Sequence, residues 1–123
     1  MSDHAALVAR WWNVWYEGDI DALDEILGDP FVRHGHQGTT TRSLKQAKED
    51  MVQYRESVEF AEVRIEAQSV SDDEVWSRVT TTGVNLRTEE PSKLSWLQVC
   101  RIADGRIAEM WMLYALGIDW AVD

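Results

Sequence analysis

His34 is the side chain in this sequence best suited to moving a proton near neutrality. An imidazole has an unperturbed pKa of about 6.5 and can act as a general base without the burial a carboxylate requires. It follows the apolar pair Phe31-Val32 and precedes the Gly- and Thr-rich stretch Gly35 to Thr41, a place where a side chain can face a cavity mouth. The alternative is a structural histidine bonded to a loop carbonyl. His34 and His36 fall on one side of an extended chain, as two metal ligands would, but no third ligand follows by spacing, and no metal site is expected. Arg78, flanked by Trp76 and Thr80 on one face of a strand-like run, could clamp a ligand carboxylate or phosphate, or equally close an internal ion pair. Tyr54 and Tyr114 could give hydroxyls to a pocket, or only pack. The lone cysteine, Cys100, sits inside a strand pattern, where a buried inert thiol is expected.

The elements that must position these groups follow from periodicity. Ser2 or Asp3 can cap a first helix whose apolar residues Leu7, Val8, Trp11, Trp12, Trp15 and Tyr16 recur at helical spacing, and Gly18 ends it. Asp19 then caps a shorter helix bearing Ile20, Leu23, Ile26 and Leu27, closed by Gly28 and Asp29-Pro30. Its acids Asp19, Asp21, Asp24 and Glu25 lie in the first turns, where carboxylates favour the helix dipole, and need no catalytic role. Phe31 to His34 reads as a short strand leading into a loop. Ser43 and Gln46 form a capping box for a third helix carrying Leu44, Ala47, Met51 and Tyr54 or Arg55. The period then changes to two. Val63, Ile65 and Ala67 alternate with Arg64, Glu66 and Gln68, and Val75 to Val84 makes the next strand after the turn Ser71-Asp72-Asp73. Last comes a hairpin from Ser95 to Tyr114 turning at Asp104-Gly105. Both faces of its strands are largely apolar, so each side must be covered.

Helices preceding an antiparallel sheet indicate an α+β domain, and 123 residues with 45% hydrophobic content suit one core. The net charge of -10, with Lys and Arg scattered, argues against nucleic-acid binding. No apolar run reaches membrane-spanning length and the N-terminus lacks the order of a secretory signal, so a soluble cytoplasmic protein is expected. Seven tryptophans suit a core, a ligand pocket or an interface.

This order of elements, with Trp15-Tyr16-Glu17-Gly18-Asp19, Asp29-Pro30-Phe31-Val32-Arg33-His34-Gly35 and Asp104-Gly105-Arg106-Ile107-Ala108-Glu109-Met110-Trp111, resembles the NTF2-like superfamily over nearly the whole chain. The nearest likeness is to its SnoaL-like polyketide cyclase and ketosteroid isomerase branches. The resemblance implies a single domain over 1–123, a cone-shaped α+β barrel with N-terminal helices packed in a curved, mainly antiparallel sheet. Ketosteroid isomerases of this family use a carboxylate base just after the first strand and an oxyanion hole of a helix-one tyrosine and a protonated aspartate on the penultimate strand. The match puts His34 at the base position, Trp11 at the tyrosine and Gln98 at the aspartate, all different in type. Gln98 and the Trp11 indole can donate while neutral, an attenuated oxyanion hole; the alternative is that Trp11 simply fills the pocket and Gln98 satisfies a neighbouring side chain. Met110, Met112 and Tyr114 match the pocket-lining face of the last strand, and Trp15, Tyr54 and Arg78 join them as ligand-binding candidates. The cyclases' acid/base aspartate on that strand has no counterpart among Met112 to Ala115. The expected function is binding of a small hydrophobic carbonyl-bearing molecule, with cofactor-free isomerase, cyclase or dehydratase chemistry by His34 and Gln98. The alternative is a noncatalytic ligand-binding or scaffold protein. A homodimer through the outer face of the sheet is expected.

Overall fold

In α1 (Asp3–Glu17) the helical stripe of the sequence becomes the face that buries Val8, Trp11, Trp12 and Val14. The computed structural model describes residues 3–116, so the cap expected from Ser2 lies outside the described residues. Gly18 ends α1 with φ +77°, its N–H donating to the Val14 carbonyl at 2.7 Å. A Cβ there would meet the Arg55 guanidinium carbon at 2.8 Å. With no Cβ in the way, Arg55 donates to the Trp15 and Tyr16 carbonyls, so one side chain satisfies the end of α1 and anchors it to a later helix.

The second helix is shorter than its periodicity suggests. A 3-10 turn (Ile20–Ala22) runs into the four-residue α2 (Leu23–Ile26), and Leu27, expected on the helix, already opens β1 (Leu27–Gly35). Leu27 is buried in either conformation, so the apolar period could not mark the change. The stretch expected as a Gly- and Thr-rich loop contains β2 (Gly38–Arg42), paired antiparallel with β1. Three consecutive β-branched threonines, Thr39 to Thr41, suit a strand, and Gly38 takes φ +95° at the turn. The capping box forms on α3 (Leu44–Ser57): the Ser43 hydroxyl accepts from Gln46 N and the Gln46 side chain accepts from Ser43 N.

Four long strands follow, β3 (Val58–Ser71), β4 (Glu74–Asn85), β5 (Pro91–Ala103) and β6 (Arg106–Leu116). They form one sheet of order β2-β1-β6-β5-β4-β3, antiparallel except where β1 lies parallel to β6. Asp104 (φ 53°) and Gly105 (φ 75°) make the expected tight turn. β3 carries two register shifts, and the one between Ile65 and Ala67 breaks the expected alternation: Ala67 is exposed, while Gln68 donates to the Ala5 carbonyl of α1. The helices pack on one side of this sheet, in an α+β arrangement. Among the described residues no helix is long and apolar enough to cross a membrane.

Candidate functional site

Alternation along each strand sorts the candidate residues between two faces of the sheet. On β6, Met110 and Met112 point toward the helices while Trp111 and Leu113 point away. On β5, Trp96, Gln98 and Cys100 share the inward face; on β1, so do Phe31 and Arg33. The side chains of α1, α3 and this inward face enclose a cavity of about 90 Å³. Trp15 organises its aromatic wall, meeting Trp11 edge-on at 5.5 Å, Tyr54 at 5.5 Å and Phe60 at 6.5 Å between ring centres. Such pairs each contribute about 0.5–1.5 kcal/mol beyond their burial, so the wall is held in place before any ligand enters.

Few polar groups reach this wall. Trp11 is 5% exposed, and its indole N–H has no hydrogen-bond partner among the described residues. The Trp96 indole donates to the Thr81 hydroxyl at 3.0 Å. Burial, with Tyr114 adding, pushes the Tyr54 phenol above its ordinary pKa, so it remains a neutral donor at physiological pH. Asp50, one turn before Tyr54 on α3, supplies the carboxylate of the lining. Arg42 donates to its Oδ2 through both Nε (3.1 Å) and Nη2 (2.6 Å), leaving Oδ1 without a partner among the described residues. Gln98 does not line the cavity. It is buried behind Met110, whose Sδ accepts from its Nε2 at 3.6 Å, and its Oε1 has no partner among the described residues.

The cavity opens to a polar mouth of about 250 Å³, and Arg33 and Asp50 line both spaces. Tyr114 stands at this mouth rather than deep in the pocket, its ring against Trp96 and His36. His36 accepts the Tyr114 amide on Nε2 at 3.2 Å, so a neutral ring carries its proton on Nδ1.

His34 and Arg78 are elsewhere. Phe31 points inward, so His34, three residues on, points outward, where it stacks on Trp111 at 5.1 Å between ring centres. Its Nε2 lies 2.7 Å from Glu109 Oε2 and its Nδ1 2.8 Å from the Thr39 hydroxyl. Glu109 also accepts from Arg101 at 3.1 Å. The His34 hydrogen bond, opposed by burial and aided by Arg101, holds the Glu109 carboxyl below its ordinary pKa. Arg78 lies on the same outer face, beside Trp76 and Leu97, in an open depression of about 630 Å³. The phase of β1 therefore places His34, and that of β4 Arg78, on the sheet face opposite the cavity that Trp11 lines. His34 and His36, expected on one side, sit in different spaces because β1 ends at Gly35.

Thus Trp11, Trp15, Tyr54, Met110 and Met112 are brought together in the cavity, Tyr114 joins at the mouth, and His34, Arg78 and Gln98, with Met112, line the outer depression. Arg33 and Asp50 were missed. Asp50 follows the cavity-lining Ala47 by three residues and precedes Tyr54 by four, so helical spacing carried its signal.

The family model of the SnoaL-like domain matches residues 8–110. No curated protein matches the chain. Among solved structures, wild-type IdmH from Streptomyces antibioticus, a candidate polyketide cyclase, superposes with a TM-score of 0.76 at 20% identity, over 90% of this chain and 91% of that one. An LEH-like epoxide hydrolase of M. tuberculosis gives 0.77 at 19% identity, over 92% and 83%. A protein of ketosteroid isomerase-like fold from Catenulispora acidiphila, in complex with trimethylamine, gives 0.77 at 17% identity, over 89% and 85%. At these identities the likeness is one of fold.

Proposed function

The chain belongs to the SnoaL-like domain family of the NTF2-like superfamily, and from that premise we propose that its single domain binds a small hydrophobic carbonyl compound in the internal cavity and moves a proton on it. The observation that carries this reading is the aromatic cavity with a neutral donor, Tyr54, and, among the described residues, one carboxylate, Asp50, on its wall. The bound carbonyl oxygen accepts from the Tyr54 O–H. Asp50 Oδ1 takes a proton from the carbon beside that carbonyl, and the C–H electron pair moves onto the oxygen as an enolate. Arg42 fixes the carboxylate through its other oxygen. In this assignment Asp50 replaces His34 as the base, and Gln98 backs the wall through Met110.

Exchange of the α-protons of 1-tetralone in D2O, followed by NMR, tests the reading. Wild-type protein should accelerate exchange over buffer, Asp50→Asn should remove about 100-fold or more of that acceleration, and His34→Ala should leave it within about threefold. Acceleration that survives Asp50→Asn and disappears with His34→Ala would return the base to His34. The noncatalytic reading rests on the ion pair that already occupies half of Asp50. It predicts that 1-tetralone binds and quenches tryptophan fluorescence while exchange stays at the buffer rate.

A homodimer through the outer sheet face is part of the proposal. Trp76, Leu97 and Leu113 are 54%, 45% and 60% exposed there, more apolar surface than an isolated copy needs to show water. A cytoplasmic location fits a lone buried thiol.

A further inference from the structure

We propose that the molecule held in the internal cavity carries a carboxylate, and that Arg33 at the cavity mouth is the residue that recognises it. The inference rests on the pocket reading above and adds the class of ligand.

The arginines of the chain divide by what they touch. Arg10, Arg42, Arg64 and Arg101 face carboxylates, and Arg55 and Arg106 donate to backbone carbonyls. Among the described residues the side chains of Arg33, Arg78 and Arg87 have neither a hydrogen bond nor an ion pair, and of these Arg33 lines both the aromatic cavity and its mouth while Arg78 lies in the outer depression. The one acid among the described residues that shares those walls, Asp50, has its charge answered by Arg42 at 2.6 Å. Among the described residues this leaves one guanidinium at the mouth without a partner, on a chain whose net charge is -10. β1 fixes the distance between the two halves of the site. Phe31 is buried at 4% exposure in the aromatic wall, and Arg33 follows two residues later on the same face, about 6–7 Å nearer solvent. A ring that spans the cavity of about 90 Å³ and the adjoining mouth of about 250 Å³ would bring an acid group at its edge to Arg33. One planar guanidinium offers a fork of two parallel N–H donors to a carboxylate, whereas a dianionic phosphate would call for more than one cation.

Calorimetric titration with a matched pair, 2-naphthoate and the neutral 2-acetylnaphthalene, tests the assignment. Wild-type protein should bind 2-naphthoate about tenfold more tightly than the ketone, and raising salt should narrow the gap. Arg33→Met should weaken 2-naphthoate by about tenfold and the ketone by less than twofold, and Arg33→Lys should keep much of the preference. Asp50→Asn, which removes the neighbouring negative charge, should tighten 2-naphthoate. If the ketone binds but 2-naphthoate binds no better, or if Arg33→Met leaves 2-naphthoate unchanged, the carboxylate assignment is overturned while the cavity reading stands. If neither probe binds, both fall.

Discussion

A carboxylate oxygen can only accept, so the hydrogen bond between His34 and ionised Glu109 fixes the imidazole proton on Nε2. With both ring nitrogens engaged and one ring face on Trp111, His34 has the surroundings of a structural histidine that pins β1 to β6. The sign of the Glu109 shift makes this testable. Its folded pKa lies below the ordinary carboxylate value of 4.5, so its contribution to stability is complete above that value and disappears as pH falls through the folded pKa. Glu109→Gln should therefore lower the melting temperature by about 2–5 °C at pH 7, with the gap closing toward pH 3. A gap that stays constant over this range would mean that the ionised carboxylate does not hold the pair. Choosing between Arg33 and His34 as the cavity residue needs the phase of β1, and the sequence leaves that open. Phe31 and Val32 are both apolar, and only the packing of Phe31 against the helices decides which neighbour turns inward.

At the scale of elements, the ends of α1 and α3 are bound together by Gly18 and Arg55, which holds Trp15 over the cavity. Two glycines of equal backbone demand separate the contact from the conformation. Gly18 (φ +77°) has Arg55 against it, whereas Gly105 (φ +75°) faces open space. Alanine at Gly105 should cost only the left-handed strain, about 1 kcal/mol, and alanine at Gly18 about 1 kcal/mol more because Arg55 must leave the carbonyls. Urea denaturation gives both numbers, and equal losses would deny Arg55 its anchoring role. Signals of this local kind were the legible ones. The Ser43-Gln46 box, the Gly18 stop and the Asp104-Gly105 turn can be read because each depends on residues within one turn of the chain. The β3 bulges, the short α2 and the β2 strand could not be read in the same way. They are set by contacts with distant partners, such as Gln68 with α1 and β2 with β1, against which local period has no vote.

At the scale of the whole molecule the sheet has two apolar faces and helices to cover one of them, as the hairpin composition requires. Trp76, Leu97 and Leu113 stand on the uncovered face of three different strands. A second copy placed there would cover all three at once, and a stable pair buries roughly 1,200–2,000 Å² in total. Each copy brings a net charge of -10, so the apolar contact has to overcome repulsion that salt screens. Analytical ultracentrifugation should therefore find a dimer whose dissociation constant falls as sodium chloride rises from low to physiological concentration. Leu113→Asp puts a charge in the middle of the patch and should weaken the dimer by about 100-fold or more. Leu113 points away from the helices, so the same variant should keep the internal cavity and bind 1-tetralone as wild type does. A wild-type chain that sediments as a monomer at micromolar concentration in physiological salt would remove the dimer from the proposal and leave the cavity untouched.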